Sequence, residues 1–166
     1  MSGRVPGNIP TTLKLRPAEE RHVPAITQLV NQAFAVERFF LVGDRLDAAE
    51  VRERLQRGAF LLLEDSGVIV ACVYVELRGE SGFIGLLSVE PRRQKSGLSR
   101  VLMNAAENYF RRHGCGMAEL RIVNLRTELP PYYEHMGYRA AGTETFPPEI
   151  PVILPCHLIV MTKALL

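Results

Sequence analysis

The chain has 166 residues, 47% apolar and 23% charged, with 13 Gly and 11 Pro. That composition excludes a wholly disordered chain and is ample for a packed core. Its 20 Lys and Arg against 18 Asp and Glu leave a net charge of +2, too small to make nucleic acid the main partner. No apolar run approaches the ~20 residues that a membrane span needs.

Residues 1–10 carry one Arg and no apolar stretch, and read as a flexible tail rather than a signal peptide. Cys72, Cys115 and Cys156 show no C-x-x-C spacing. A disulfide scaffold or a metal site is not expected, and a cytoplasmic location is.

The run Thr11-Thr12-Leu13-Lys14-Leu15-Arg16 alternates with the period of a strand, and Pro17 ends it. Over residues 23–34, Ala25, Ile26, Leu29, Val30, Ala33 and Phe34 fall on one helical face, with Pro24 in the first turn. A second helix is predicted over 47–56, with Asp47 as N-cap and Gly58 at its end. Strands over 59–64 and 68–77 follow, joined by the hairpin signal Asp65-Ser66-Gly67. After a turn at 79–82, a strand over 83–89 closes at Pro91 and completes an antiparallel meander.

Leu98, Val101, Leu102, Ala105, Ala106, Tyr109 and Phe110 form the strongest helical pattern, ended by Gly114. A strand over 118–123, a short helix over 129–136 and a strand over 138–145 come next. Pro147, Pro148, Pro151 and Pro155 make 146–156 a stiff loop before a last strand over 157–162. The order β-α-α-β-β-β-α-β-α-β-β, with a crossover between parallel strands in its middle, is an α+β fold built on a mixed sheet.

The chemistry concentrates where the strand ending at Pro91 passes through a basic loop into the best helix. A helix start offers free backbone N–H groups and the positive end of the dipole, which suit a phosphate, and Gly97 lets a ligand approach the backbone. Arg92, Arg93 and Lys95 add charge. The same residues also read as a cap beside a solvated basic loop. The chain contains neither G-x-x-x-x-G-K-S/T nor G-x-G-x-x-G, which excludes a Walker loop and a dinucleotide fingerprint.

Gln94-Lys95-Ser96-Gly97-Leu98-Ser99, after Leu87-Ser88-Val89-Glu90-Pro91, resembles the R/Q-x-x-G-x-G/A loop of the GNAT-type acyl-CoA N-acyltransferases, with Ser99 where that family prefers Gly or Ala. Pro131-Tyr132-Tyr133-Glu134-His135-Met136-Gly137-Tyr138 resembles the family's aromatic-Tyr-x-x-x-Gly-aromatic segment, and Asn124 looks like the Asn that ends its preceding strand. The resemblance implies the tail at 1–10 and one N-acetyltransferase domain over 11–166. That domain has a mixed, mostly antiparallel sheet of about seven strands, helices on both faces, and middle strands that run parallel and splay apart.

The resemblance also implies acetyl-CoA as co-substrate. Its pantetheine arm enters the splay as an added strand on backbone groups of Leu87 and Val89, with Ser88 facing the other way. Its pyrophosphate sits on the N–H groups of Lys95, Ser96, Gly97, Leu98 and Ser99, and Asn124 binds the arm. Tyr133, four residues before Gly137, becomes the general acid for the leaving thiolate. On the residues alone, Tyr133 also reads as a ring anchoring the core. Tyr132 is the neighbour expected to pack, because i and i+1 face different ways.

The general base is not readable. An alkyl amine of pKa ~10.4 is neutral only about once in 10³ molecules at pH 7, a cost of ~4–5 kcal/mol. Glu37, Glu76, Glu90 and His157 are candidates, each also readable as a structural or solvated side chain. Glu37, Phe39 and Phe40 lie between the first two helices, where the family builds its acceptor pocket. The two Phe also read as core, and the Pro-rich loop before His157 reads as a pocket wall or as a rigid connector.

Cys156 and His157 do not share a strand face, so direct transfer in a ternary complex is expected rather than a Cys intermediate. The expected function is an N-acetyltransferase acting on an amine of a small molecule or a protein, with homodimers common among family members. The alternative is a non-catalytic acyl-CoA-binding module on the same fold, toward which Ser99 and the unread base lean. A nucleotide-binding protein needs a magnesium carboxylate close after the loop, and none stands out.

Overall fold

A computed structural model describes residues 12–166; the expected tail and Thr11, first residue of the predicted first strand, lie outside them. Seven strands form one sheet in the order β1-β2-β3-β4-β5-β7-β6. They are β1 (Leu13–Pro17), β2 (Ala59–Asp65), β3 (Val68–Arg78), β4 (Ser81–Val89), β5 (Met117–Val123), β6 (Arg139–Thr145) and β7 (His157–Ala164). Every neighbouring pair is antiparallel except β4 and β5. The helices are α1 (Val23–Ala33), α2 (Ala48–Arg57), α3 (Leu98–Arg112) and α4 (Leu129–Glu134), and a 3-10 segment, Phe34–Phe39, continues α1. The element order is the predicted one, with bounds moved by a residue or two where hydrogen bonding outruns the pattern.

Helices cover both faces of the sheet, so β2 and β3 are buried on both sides and read as near-continuous apolar runs. Phe60, Leu62, Cys72 and Tyr74 face Val23, Ile26 and Val30 of α1 and Val51 of α2. Leu61, Leu63, Val73 and Val75 alternate to the other face, against Leu98, Leu102, Ala106 and Phe110 of α3. Asp47 caps α2 as expected: its carboxylate accepts from the Glu50 N–H at 2.9 Å, and Glu50 Oε1 accepts from the Asp47 N–H at 3.2 Å.

The register of β4 decides where the site lies. β4 pairs with β5 only from Ser81 opposite Met117 to Ile84 opposite Leu120. On its other edge Tyr74 faces Gly85 but Cys72 faces Ser88, so Leu86 and Leu87 together oppose Val73. Leu86 takes φ 53°, a conformation that disfavours a leucine by ~1–2 kcal/mol and is held here by burial against the α1 face. This bulge bends the strand. Beyond Ile84, the backbone groups that would meet β5 have no strand partner, and the parallel pair opens into a wedge.

Candidate active site

The wedge forms a cleft of about 510 Å³, within the ~300–1,000 Å³ usual for small-ligand sites. Leu87 and Val89 line it from β4, Gln94, Lys95, Leu98 and Ser99 from the basic loop and α3, and Tyr132 and Tyr133 from α4. Phe34, Glu37 and Arg126 complete it from the connections.

The loop is wound by two left-handed residues, Lys95 (φ 64°) and Gly97 (φ 89°), the second being the N-cap of α3. Successive N–H groups around such residues make an anion-binding concavity. Arg93 is committed elsewhere: its Nη1 donates to Asp65 Oδ2 at 2.6 Å and ties the loop to the β2–β3 turn. Arg92, Lys95 and Arg100 remain exposed. Ser96 Oγ donates to the Arg93 carbonyl. Gln94 Nε2 donates to the Val89 carbonyl at 3.4 Å. Ser88 is buried outside the cleft, and its hydroxyl donates to the Leu86 carbonyl at 2.9 Å, inside the bulge. The Ser99 and Tyr132 hydroxyls bond each other, joining the first turn of α3 to α4.

In α4 the chain reverses at Gly137 (φ 97°), and the Met136 and Tyr138 N–H groups both return to the Tyr133 carbonyl, at 2.9 and 3.1 Å. Tyr138 is thereby laid against Tyr133, ring centroids 6.1 Å apart. It is anchored by its hydroxyl donating to Glu107 Oε2 at 2.8 Å, while Lys163 Nζ donates to Glu107 Oε1 at 2.9 Å. This accounts physically for the Tyr-x-x-x-Gly-Tyr spacing. Tyr133 is 8% exposed. Its hydroxyl has no hydrogen-bond partner among the described residues, and burial pushes the phenol well above its ordinary range. Tyr132, expected to pack, is instead 38% exposed, because the inward face of α4 belongs to Tyr133.

Glu37 is buried and accepts from Arg126 Nη1 at 2.9 Å, a pair 89 residues apart in the chain. Burial raises its carboxyl above the usual range while Arg126 opposes the rise. Arg126 Nε also donates to Glu128 Oε2 at 2.8 Å. Nothing local in the sequence singles out Arg126; the only signal is the general need of a buried carboxylate for a partner.

The other candidates stand apart from the cleft. Phe40 is fully buried with Leu41 and Val123, Phe39 is half-exposed, and Phe34 takes the lining position. Asn124 donates its N–H to the His157 carbonyl at 3.0 Å, and its Oδ1 accepts from the His157 N–H at 2.8 Å. His157 itself is exposed. Glu76 is held by the Tyr74 hydroxyl at 2.5 Å and Arg78 Nε at 2.7 Å, and Glu90 lies 3.5 Å from Arg93 Nε. Burial pushes the Cys72 thiol up to about 12, and burial together with Glu37 raises that of Cys156. Among the described residues no cluster of three His, Cys, Asp or Glu suits a metal ion, and no helix is long and apolar enough to cross a membrane.

A parallel pair split by a bulge, above the N-terminus of a crossover helix, defines the acyl-CoA N-acyltransferase fold. The family model described as "Acetyltransferase (GNAT) domain" matches residues 29–153, and the chain belongs to that family. Ard1 from Thermoplasma volcanium superposes with TM-score 0.78 at 12% identity, covering 94% of this chain and 99% of that one. The ribosomal-protein-S18-alanine N-acetyltransferase from Escherichia coli gives 0.74 at 14% identity, covering 92% and 94%. Nourseothricin acetyltransferase gives 0.74 at 16% identity, covering 94% and 100%. At these identities the likeness is one of fold. No curated protein matches the sequence significantly.

Proposed function

We propose that this chain, through one domain over 11–166, transfers an acetyl group from acetyl-CoA to a primary amine with both substrates bound together. The observation that carries this reading is the wedge: an unpaired β4 edge, an N–H nest at the start of α3, and an unpartnered Tyr133 share one cleft. Backbone groups of Leu87 and Val89 take the amides of the pantetheine arm as an added strand would. The N–H groups from Lys95 to Ser99 take the pyrophosphate. Asn124 stands apart from the cleft lining with its Oδ1 spent on the His157 N–H; its Nδ2 reaches the arm only where the arm extends past the lining residues.

Acetyl-CoA supplies an acyl group activated as a thioester. Among Glu37, Glu76, Glu90 and His157, only Glu37 lines the cleft. Burial strengthens its hold on a proton while Arg126 opposes that rise, which makes Glu37 the candidate base for an ammonium group. Tyr133 keeps its proton at neutral pH because burial disfavours the phenolate. One C–N bond forms and one C–S bond breaks. Of the two ammonium protons lost, one leaves through Glu37 and one ends on sulfur by way of Tyr133. A reducing cytoplasm, expected from the free Cys72, Cys115 and Cys156, belongs to the same reading.

The test is a melting curve with and without CoA and acetyl-CoA, followed by thiol release over a panel of amines. Both ligands raise the melting temperature, because they bind only the folded state. An unmoved curve at saturating ligand sinks the donor assignment, and a shift without thiol release turns the reading into the binding module.

A further inference from the structure

Beyond Phe34 and Glu37 the cleft continues into a second pocket of about 180 Å³, between the α1–α2 connection, α2 and the Pro-rich loop. It is small beside the ~300–1,000 Å³ of drug-sized ligand sites. Its charge is lopsided. Arg45, Arg54 and Arg121 line it, against the single carboxylate of Glu37. Arg121 is neutralised by Glu144 through two bonds, at 2.8 and 2.9 Å.

Arg45 and Arg54 have no carboxylate within 4.0 Å among the described residues. The contrast with their neighbours is informative. Arg38, Arg52 and Arg57, on the same stretch of chain but facing solvent, pair with Asp44, Glu20 and Glu53. The pocket arginines lie instead over aromatic rings, Arg45 5.6 Å from the Phe34 centroid and Arg54 5.1 Å from that of Tyr74. Their placement is fixed. Asn31 Oδ1 accepts from the Arg45 and Leu46 N–H groups at 2.9 and 3.1 Å, and the Asp47 cap starts the helix that carries Arg54. Burial weakens the hold of each guanidinium on its proton, and Arg45 adds repulsion at Arg54. Glu37 and Glu50 offset this for Arg45, and Glu50 with Tyr74 for Arg54, from beyond ion-pair distance, so two half-buried like charges share one pocket with no direct partner, an arrangement that an anion joining them improves.

We propose that the acceptor is a small primary amine bearing an anionic group, carboxylate or phosphonate, with the anion on Arg45 and Arg54 and the ammonium directed to Glu37. Planar guanidinium forks match such oxyanions. The pocket thus reads both ends of a zwitterion and discriminates against polycationic amines. This rests on the acetyltransferase reading and adds the substrate class.

The test uses the full chain with acetyl-CoA and matched acceptors: a set of amino acids, their carboxamides, the aminophosphonates of the same skeletons, and a polyamine. The best amino acid exceeds its carboxamide in kcat/KM by about 10- to 100-fold, the worth of charge-assisted hydrogen bonds, and the phosphonate arm tells which oxyanion fits better. Arg45→Gln and Arg54→Gln bring the acid-to-amide ratio toward one, chiefly through KM, while Arg45→Lys retains part of it. The CoA-induced melting shift of each variant reports that the fold and donor site persist. Calorimetry of the best acid against the CoA complex gives a readout apart from turnover. Equal use of acid and amide, a preference for the polyamine, or an unaltered ratio in both Gln variants overturns the proposal while leaving the acetyltransferase reading intact. Absence of both a CoA shift and thiol release removes the reading on which it rests, and the proposal with it.

Discussion

The side of the cleft that we assign to the donor and the side that we assign to the acceptor are built from different materials. The donor side is mostly backbone: a strand edge freed by the bulge at Leu86 and a ring of N–H groups wound by Lys95 and Gly97. Backbone groups carry no side-chain identity, so the pattern needs only a bulge, a glycine and small residues in one contiguous stretch. The acceptor side is mostly side chains from distant segments, with Glu37 paired to Arg126 and Arg45 and Arg54 brought to one pocket. A site half built from backbone is compatible with a fold that persists at 12% to 16% identity.

The contrast can be broken most sharply at Gly97. Gly97→Glu puts bulk and negative charge into the nest at a left-handed position, and we expect the CoA-induced melting shift and thiol release both to vanish. A retained shift would place the phosphates elsewhere. On the acceptor side, Glu37→Gln should lower kcat/KM by about 10²- to 10³-fold for an alkyl amine, and much less for an amine of pKa near 7, whose deprotonation is almost free. Its partner Arg126 keeps Glu128, so the fold should hold. Protonated Glu37 accepts nothing, so wild-type activity falls as pH drops through a value above the ordinary carboxylate range, and the variant loses that limb. An unaltered pH profile in the variant assigns the limb to another group.

Tyr133→Phe comes next, with kcat down about 10²-fold, the low end for acid catalysis because a thiolate of pKa ~8.5 leaves fairly well unaided. A loss confined to KM would make the hydroxyl a ground-state contact. The smallest effect lies at the edge of the acceptor side, at the cap of the helix that carries Arg54. Asp47→Ala removes the α2 cap and should cost about 1 kcal/mol, seen as a melting decrease of ~2–4 °C with the acetyl-CoA KM unchanged. If that KM rises as well, the two sides are coupled through the sheet rather than independent.

Ser99 and Tyr132 show how a departure from a family pattern is resolved. Where the pattern has Gly or Ala, the hydroxyl of Ser99 bonds that of the exposed Tyr132, while Tyr133 takes the inward face of the short helix. Phe34 and Phe40 exchanged roles because the chain leaves the 3-10 segment at Phe40, whose φ of −131° sends its ring into the cluster of Leu41 and Val123 and leaves Phe34 to line the cleft.

What the sequence determined alone is what is decided within a few residues. Period-3.6 and period-2 patterns set the elements and their order, Asp47 with Glu50 set a helix start, Ser66-Gly67 set a hairpin, and Gly97 and Gly137 set the two turns around which the donor motifs form. Tertiary structure decided the rest. The two-against-one register opposite Val73 depends on how β3 and β4 align, the meeting of Glu37 with Arg126 closes 89 residues of chain, and the placing of Arg45 and Arg54 in one pocket without a direct ion pair follows from which side chains the packed helices turn inward. Local periodicity carries information across one helical turn or one strand, whereas an ion pair, a splay or a pair of like charges in one pocket exists only once the whole sheet has fixed who stands beside whom.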